Sequence, residues 1–299
     1  MLKQRVITAI VLLLILIGSY MLGPVAFAGV MAIAFILAQW EWLKLSGLNS
    51  IISALIAVVV GGSAAAITYL VSLDLQVINH ASQEYQQLYA NLSGMFVMYL
   101  TVITLLWVGI SIRVFFARKT GLPVNRIVVG ITGVFFPPAA WLAFVAMYAT
   151  FGISMVISLL AIVWVADIMA YFTGMAFGKH RMSPAISPKK SWEGVAGGML
   201  SVMLLGLLFA WFAPEIKTIP GVIVESMGAL VWIIIAYILV SLSIVGDLFE
   251  SALKRQAGIK DSSNLLPGHG GFYDRLDAMM PTLPAGFLLT VLVASGTLG

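Results

Sequence analysis

Residues 153–177 read ISMVISLLAIVWVADIMAYFTGMAF, and the length and composition of this run decide the fold. Its one charged residue is Asp167. A helix rises about 1.5 Å per residue, so the run crosses a hydrocarbon core about 30 Å thick with length to spare. A spanning β-strand would need only about 9–11 residues and would alternate polar with apolar positions, which this run does not. Backbone groups in lipid must be satisfied within their own segment, and a helix does that.

Working outward, the same composition recurs. Nine hydrophobic segments can be read, at 6–22, 24–45, 51–73, 94–116, 127–149, 153–177, 195–213, 226–246 and 278–295. The chain is 61% hydrophobic and 9% charged, against about 25% charged in soluble domains. The expected fold is an all-α, polytopic integral membrane helical bundle of about nine transmembrane helices. The first segment follows Lys3 and Arg5 like a secretory signal. It is longer than the usual signal core of about 7–15 residues, and a second apolar run follows at once, so an uncleaved helix is expected. Cysteine is absent, which excludes disulfides and thiolate metal sites.

Lysine and arginine set the expected orientation. With the N-terminus inside and nine alternating spans, every one of the 16 basic residues except Lys217 falls on the inner side. Asp74, Glu84, Glu215 and Glu225 fall outside, and the expected topology is N-in, C-out. The long outer connection carries an Asn91-Leu92-Ser93 sequon, a pattern common by chance. The sequence divides into N-terminal transmembrane helices over 1–125 (spans 1–4) and a C-terminal transmembrane region over 126–299 (spans 5–9), which is expected to be the catalytic one. The chemistry lies in its inner loops, 178–194 and 246–277.

In the first loop, Ser183-Pro184 and Ser187-Pro188 impose turns. Lys189 and Lys190 follow, and Ser191 is placed to cap the next helix. Lysines beside a helix N-terminus make an anion site. The second loop holds five of the 12 acidic residues (Asp247, Glu250, Asp261, Asp274, Asp277) and four of the 16 basic ones (Lys254, Arg255, Lys260, Arg275). Orientation needs only positive charge, so mixed charge at this density points to a site. On a helix, Asp247, Glu250 and Lys254 share a face, as would Asp274 and Asp277 on a later one. Carboxylates from two segments suit Mg²⁺, which prefers oxygen ligands and leaves positions for phosphates. Between them, His269-Gly270-Gly271 allows backbone amides to approach an anion. Asp167 stands in an apolar span, where an ionised group is expensive and reads as functional. Gly174 and Gly178 suit close helix packing.

The run Ser251-Ala252-Leu253-Lys254-Arg255, then Lys260-Asp261, Pro267-Gly268-His269-Gly270-Gly271 and Asp274-Arg275-Leu276-Asp277, resembles the C-terminal signature of the phosphatidate cytidylyltransferases, or CDP-diacylglycerol synthases. Asp167, Ala170-Tyr171, Gly174, Phe177-Gly178-Lys179 and the stretch Ser187 to Gly194 resemble a second region shared by that family. Two positions depart from it. Ser191 stands where threonine is common, and Met175 where a basic residue often follows the glycine.

The resemblance implies that CTP and phosphatidic acid are converted to CDP-diacylglycerol and pyrophosphate in phospholipid biosynthesis. The lipid phosphate attacks the α-phosphorus of CTP with Mg²⁺ required, and a second cation is left open. It implies Asp247 and Asp274 as first metal ligands, with Asp277 and Asp167 as further ligands or their neighbours. Lys189 and Lys190 would hold CTP phosphates, helped by Ser187 and Ser191. Arg255, Lys260 and Arg275 would neutralise the lipid phosphate or leaving pyrophosphate. His269, Gly270 and Gly271 would shape the nucleotide loop, and Lys254 and Asp261 belong to the substrate-binding set. Asp247, Asp274, Lys190 and Arg275 are the expected catalytic residues. The expected partners are CTP and bilayer phosphatidic acid, with no nucleic acid and a homodimer left open. The expected location is a bacterial cytoplasmic (inner) membrane, with the active site facing the cytoplasm. A CTP-dependent lipid kinase is the nearest rival. A transporter is disfavoured, because no internal repeat is visible and the unusual charge lies in the second half.

Overall fold

The computed structural model describes residues 2–74 and 83–296. Residues 75–82 of the long outer connection, and the side chains of Lys3, Arg5, Asp74, Glu84 and Asn91, lie outside what is described. The elements run α1 (Leu2–Met21), α2 (Pro24–Leu45), α3 (Ser50–Asp74), α4 (Gln83–Ala117), α5 (Arg126–Phe151), α6 (Ile153–Phe177), β1 (Arg181–Ser183), β2 (Ser187–Ser191), α7 (Trp192–Phe212), α8 (Ile219–Met227), α9 (Ala229–Gln256), α10 (Tyr273–Leu276) and α11 (Met279–Ala294). Among the described residues eight helices are long and apolar enough to cross a membrane, and Val6–Met21 forms a shorter apolar helix before them. The protein is an all-α integral membrane protein with one small hairpin.

Three differences from the sequence reading have local causes. The loop after α6 is a β-hairpin rather than a string of turns, with β1 antiparallel to β2 in the register Arg181↔Ser191 and Ser183↔Ser187. Helix α7 starts at Trp192 because Ser191 caps it, its hydroxyl accepting from Gly194 N at 3.2 Å. A short helix, α8, fills the connection after α7, started by Thr218, whose hydroxyl accepts from Gly221 N at 3.2 Å.

Two compact units are present. The first comprises Met1–Ile103, Val124–Val145 and Leu253–Leu276; the second comprises Thr104–Pro123, Ala146–Ala252 and Asp277–Gly299. They are defined by contacts and form a different partition from the sequence division at residue 126.

In the first unit, α2 packs on α5 through aromatic rings. Phe27 meets Phe144 at 5.8 Å and Trp42 meets Phe136 edge-on at 5.9 Å between centroids. Such pairs contribute about 0.5–1.5 kcal/mol each beyond area burial. A polar contact underlies them. Pro137 and Pro138 lie inside α5 and lack N–H groups, which leaves the carbonyls four residues earlier, Gly133 and Val134, without helical donors. Gln39 of α2 donates its Nε2 to both, at 3.1 and 3.3 Å. A buried glutamine thus closes the gap made by two prolines, where an open carbonyl in lipid would cost several kcal/mol.

In the second unit, α6 and α7 meet along small residues. A side chain at Gly194 would strike Ala170 O, and one at Gly198 would strike Ala166 O. Ala166, Ala170 and Gly174 recur every four residues on α6 opposite them, so the backbones approach closely without a hydrophobic driving force. At Gly246 of α9 the Asp277 carbonyl sits where a Cβ would be, which brings the start of α11 against α9 beside Asp247.

Candidate functional site

Among the described residues, each unit carries a polar cluster. In the second unit the hairpin is fastened to the end of α4, as Ser183 Oγ and Ala185 N both donate to Arg118 O at 3.3 Å. Strand alternation then sends successive side chains to opposite faces. Lys189 is exposed, while Lys190 turns inward and places Nζ 2.7 Å from Asp247 Oδ2. Asp247 Oδ1 accepts from Ser251 Oγ at 3.2 Å. Burial alone would lower the pKa of the Lys190 ammonium. Attraction to Asp247, their hydrogen bond, and the fields of Asp167 and Asp277 outweigh burial and raise it. Three carboxylates therefore act on one ammonium.

An ion pair as open as this one, 23% and 30% exposed, contributes on the order of 1 kcal/mol or less to stability. Its significance is charge balance: an inward lysine in a field of three aspartates. Close by in sequence, Glu193 Oε1 lies 2.6 Å from His180 Nδ1, and both Glu193 oxygens accept from His180 N at 3.2 Å. Ser187 is half-buried on β2. The Ser191 hydroxyl is buried and engaged as the cap of α7.

In the first unit, Asp274 is the hub. Its Oδ1 receives the Lys254 ammonium at 2.5 Å, with side chains 13% and 5% exposed. Its Oδ2 accepts from Ser262 N, Ser262 Oγ and Gly271 N, each at 2.8 Å. The anion met by the Gly271 amide is thus the chain's own carboxylate. Gly270 has φ +83° and needs glycine for that backbone shape. Leu266 N donates to Gly270 O and His269 N to Leu266 O, both at 2.8 Å, closing a tight turn. That turn borders a cavity of about 450 Å³ lined by Lys260, Asp261, His269, Gly270 and Arg275 among others. Three of these side chains can present N–H donors to an anion. His269 Nδ1 is buried without a hydrogen-bond partner. Arg255 is exposed at the end of α9.

The sequence reading assigned no role to Glu41. It is fully buried on α2 and accepts from Ser262 Oγ at 2.9 Å, Ser263 Oγ at 2.5 Å, Phe272 N at 3.2 Å and Tyr273 N at 2.7 Å. The signal was present, since an ionisable residue inside an apolar run is a functional pointer by itself. Among the described residues, no group of three or more His, Asp or Glu side chains is arranged to hold a metal ion as it stands.

A polytopic helical membrane protein with anion-ready cations beside clustered carboxylates is the class these features define. The chain belongs to the Cytidylyltransferase family, whose model matches residues 3–293. It is 31% identical over 298 residues to a phosphatidate cytidylyltransferase of Haemophilus influenzae, covering 95% of this chain and 96% of that protein. It is 36% identical over 290 residues to one of Pseudomonas aeruginosa, covering 95% of each. A third, from Thermotoga maritima, is 38% identical over 146 residues, 49% of this chain and 52% of its own.

Proposed function

We propose that this chain is a phosphatidate cytidylyltransferase, forming CDP-diacylglycerol and pyrophosphate from CTP and phosphatidic acid. The observation that carries the reading is full-length similarity to relatives of that name. The inward Lys190 among Asp247, Asp167 and Asp277 supports it from the side of the chemistry.

A phosphate monoester has a second pKa of about 6, so the lipid phosphate is already a nucleophile near neutral pH and needs no strong base. One of its oxygens bonds to the α-phosphorus of CTP, the bond from that phosphorus to the β-phosphate oxygen breaks, and pyrophosphate leaves. Positioning and charge neutralisation are the work left to the protein. Lys190 and the exposed Lys189 hold the triphosphate, with Ser187 beside them and Ser191 setting the α7 start. Lys260 and Arg275, at the cavity, and Arg255 neutralise the lipid phosphate or the departing pyrophosphate. His269 offers its free Nδ1 to what enters there, with Asp261 on the same wall. Lys254 acts through Asp274, which it holds.

Mg²⁺ is part of the proposal. The donor chemistry fits, since Asp247, Asp277 and Asp167, whose charges all act on the Lys190 ammonium, carry the oxygen ligands that Mg²⁺ prefers and would have to draw together around the ion. Asp274 offers Oδ1 only in exchange for the Lys254 ammonium. When bound, the metal would neutralise triphosphate charge and stabilise the leaving group. The N-in, C-out orientation, a cytoplasmic active site and a bacterial inner membrane complete the reading, supported by the basic inner loops and the bacterial relatives. A homodimer is compatible with it.

Product analysis tests the reading. Purified protein given CTP and phosphatidic acid should release pyrophosphate and CDP-diacylglycerol in equal amounts. Release of CDP with phosphorylation of a lipid alcohol would assign a kinase instead.

A further inference from the structure

Glu41 is a buried carboxylate to which the reaction assigns no task. Burying it in an apolar helix is costly, and that cost is offset by four donors, two hydroxyls and two amides. Stability alone does not explain it, because well-packed apolar residues commonly replace buried charge without loss. Every donor comes from the segment 262–273, which carries the turn at Gly270 and leads into Asp274. Ser262 Oγ lies 2.9 Å from Glu41 Oε2 and 2.8 Å from Asp274 Oδ2. A hydroxyl has one proton, so the two carboxylates share it, and moving either one disturbs the other.

Two further contacts fasten the same segment. Trp42, next to Glu41, stacks on Tyr273 at 4.7 Å and 26°. Thr8 Oγ1 of α1 donates to Pro267 O at 2.9 Å. At Gly271 any side chain would run into the Glu41 carboxylate and the Ser262 hydroxyl, so the glycine is required by the carboxylate's approach.

We propose that Glu41 is a positioning residue for the cytidylyl transfer: through Ser262, Ser263 and the amides of Phe272 and Tyr273 it holds the segment that presents Asp274, His269 and Arg275. The inference rests on the functional reading above for its effect on turnover. The hydrogen bonds themselves are testable without turnover.

The experiment compares the full chain in detergent with Glu41→Gln, Ser263→Ala and Ser263→Thr, by hydrogen exchange, thermal melting and steady-state kinetics. Glutamine keeps the shape but turns an NH₂ toward donors. Glu41→Gln should speed exchange at the 271–273 amides about tenfold or more, the scale of one lost charged hydrogen bond. It should lower kcat per folded molecule by at least about tenfold with the CTP KM within about twofold, since the triphosphate lysines are untouched. Ser263→Ala should show the same effects more weakly, and Ser263→Thr, which keeps the hydroxyl, should restore them. Unchanged exchange at 271–273 would overturn the inference, as would a kcat that falls only with the folded fraction. Should Glu41→Gln fail to fold, the Ser263 pair decides by the same readouts. If wild-type protein turns over no CTP, the functional reading fails, while exchange still decides whether Glu41 holds the segment.

Discussion

Lys190 Nζ stands 2.7 Å from Asp247 Oδ2, tying the second strand of the hairpin to helix α9. The contact gives the hairpin a purpose that turns alone would not serve. Strand alternation sets Lys189 outward and Lys190 inward, so two adjacent lysines acquire different surroundings. Lys190 is the cation that three aspartates already act upon, and Lys189 is exposed to solvent.

Lys190→Ala should therefore raise the CTP KM by on the order of ten- to a hundredfold, the scale of a lost charge-assisted hydrogen bond. Lys189→Ala, which leaves the Asp247 pair intact, should have the smaller effect. Steady-state kinetics against CTP checks both, and an unchanged KM in Lys190→Ala would return that residue to an orienting role.

The pH dependence has a definite sign. The folded-state pKa of Lys190 is raised above its ordinary 10.5. Its ion pair contributes fully below the unfolded value and is lost only as pH rises through the higher folded one. Thermal stability and CTP affinity should then show no alkaline loss from this group between about pH 7 and 9. A loss in that window present in wild type and absent in Lys190→Arg would contradict the assignment.

Asp247→Asn and Asp274→Asn should both abolish turnover, but for separable reasons. Asp247 belongs to a partly open pair, so its variant should remain folded with little change in melting. Asp274 is 5% exposed beside Lys254, and breaking a buried pair costs about 3–5 kcal/mol. Its variant should therefore melt earlier as well as lose activity. Equal stability in the two would show that the hub at Asp274 does not hold its segment.

Gln39→Leu tests the fold apart from the chemistry. It would strand the carbonyls of Gly133 and Val134, at about 1–3 kcal/mol each. A markedly lower melting temperature with an unchanged CTP KM is expected. Normal stability would mean the α5 prolines are accommodated some other way.

Much of this was legible beforehand. The apolar runs announced the helices because length and composition suffice for that, and the spacing of Gly174 and Gly178 announced close packing. Ser191 was readable as a cap from its place alone. The hairpin was not, since Ser-Pro pairs read as turns until Arg118 O supplies the partner for Ser183 and Ala185. Glu41 and Gln39 escaped for a related reason. Their meaning lies in donors and acceptors distant along the chain, Tyr273 for one and Gly133 for the other, and no local pattern encodes such pairs.

The most direct test of the central claim is transfer of label from CTP marked at its α-phosphorus into phosphatidic acid, in detergent micelles with Mg²⁺. The account predicts label in the lipid phase that disappears when EDTA is added, when phosphatidic acid is omitted, or when Asp247 is replaced by Asn. Folded protein that leaves the lipid unlabelled, or labels it only from the γ-phosphorus, would contradict it.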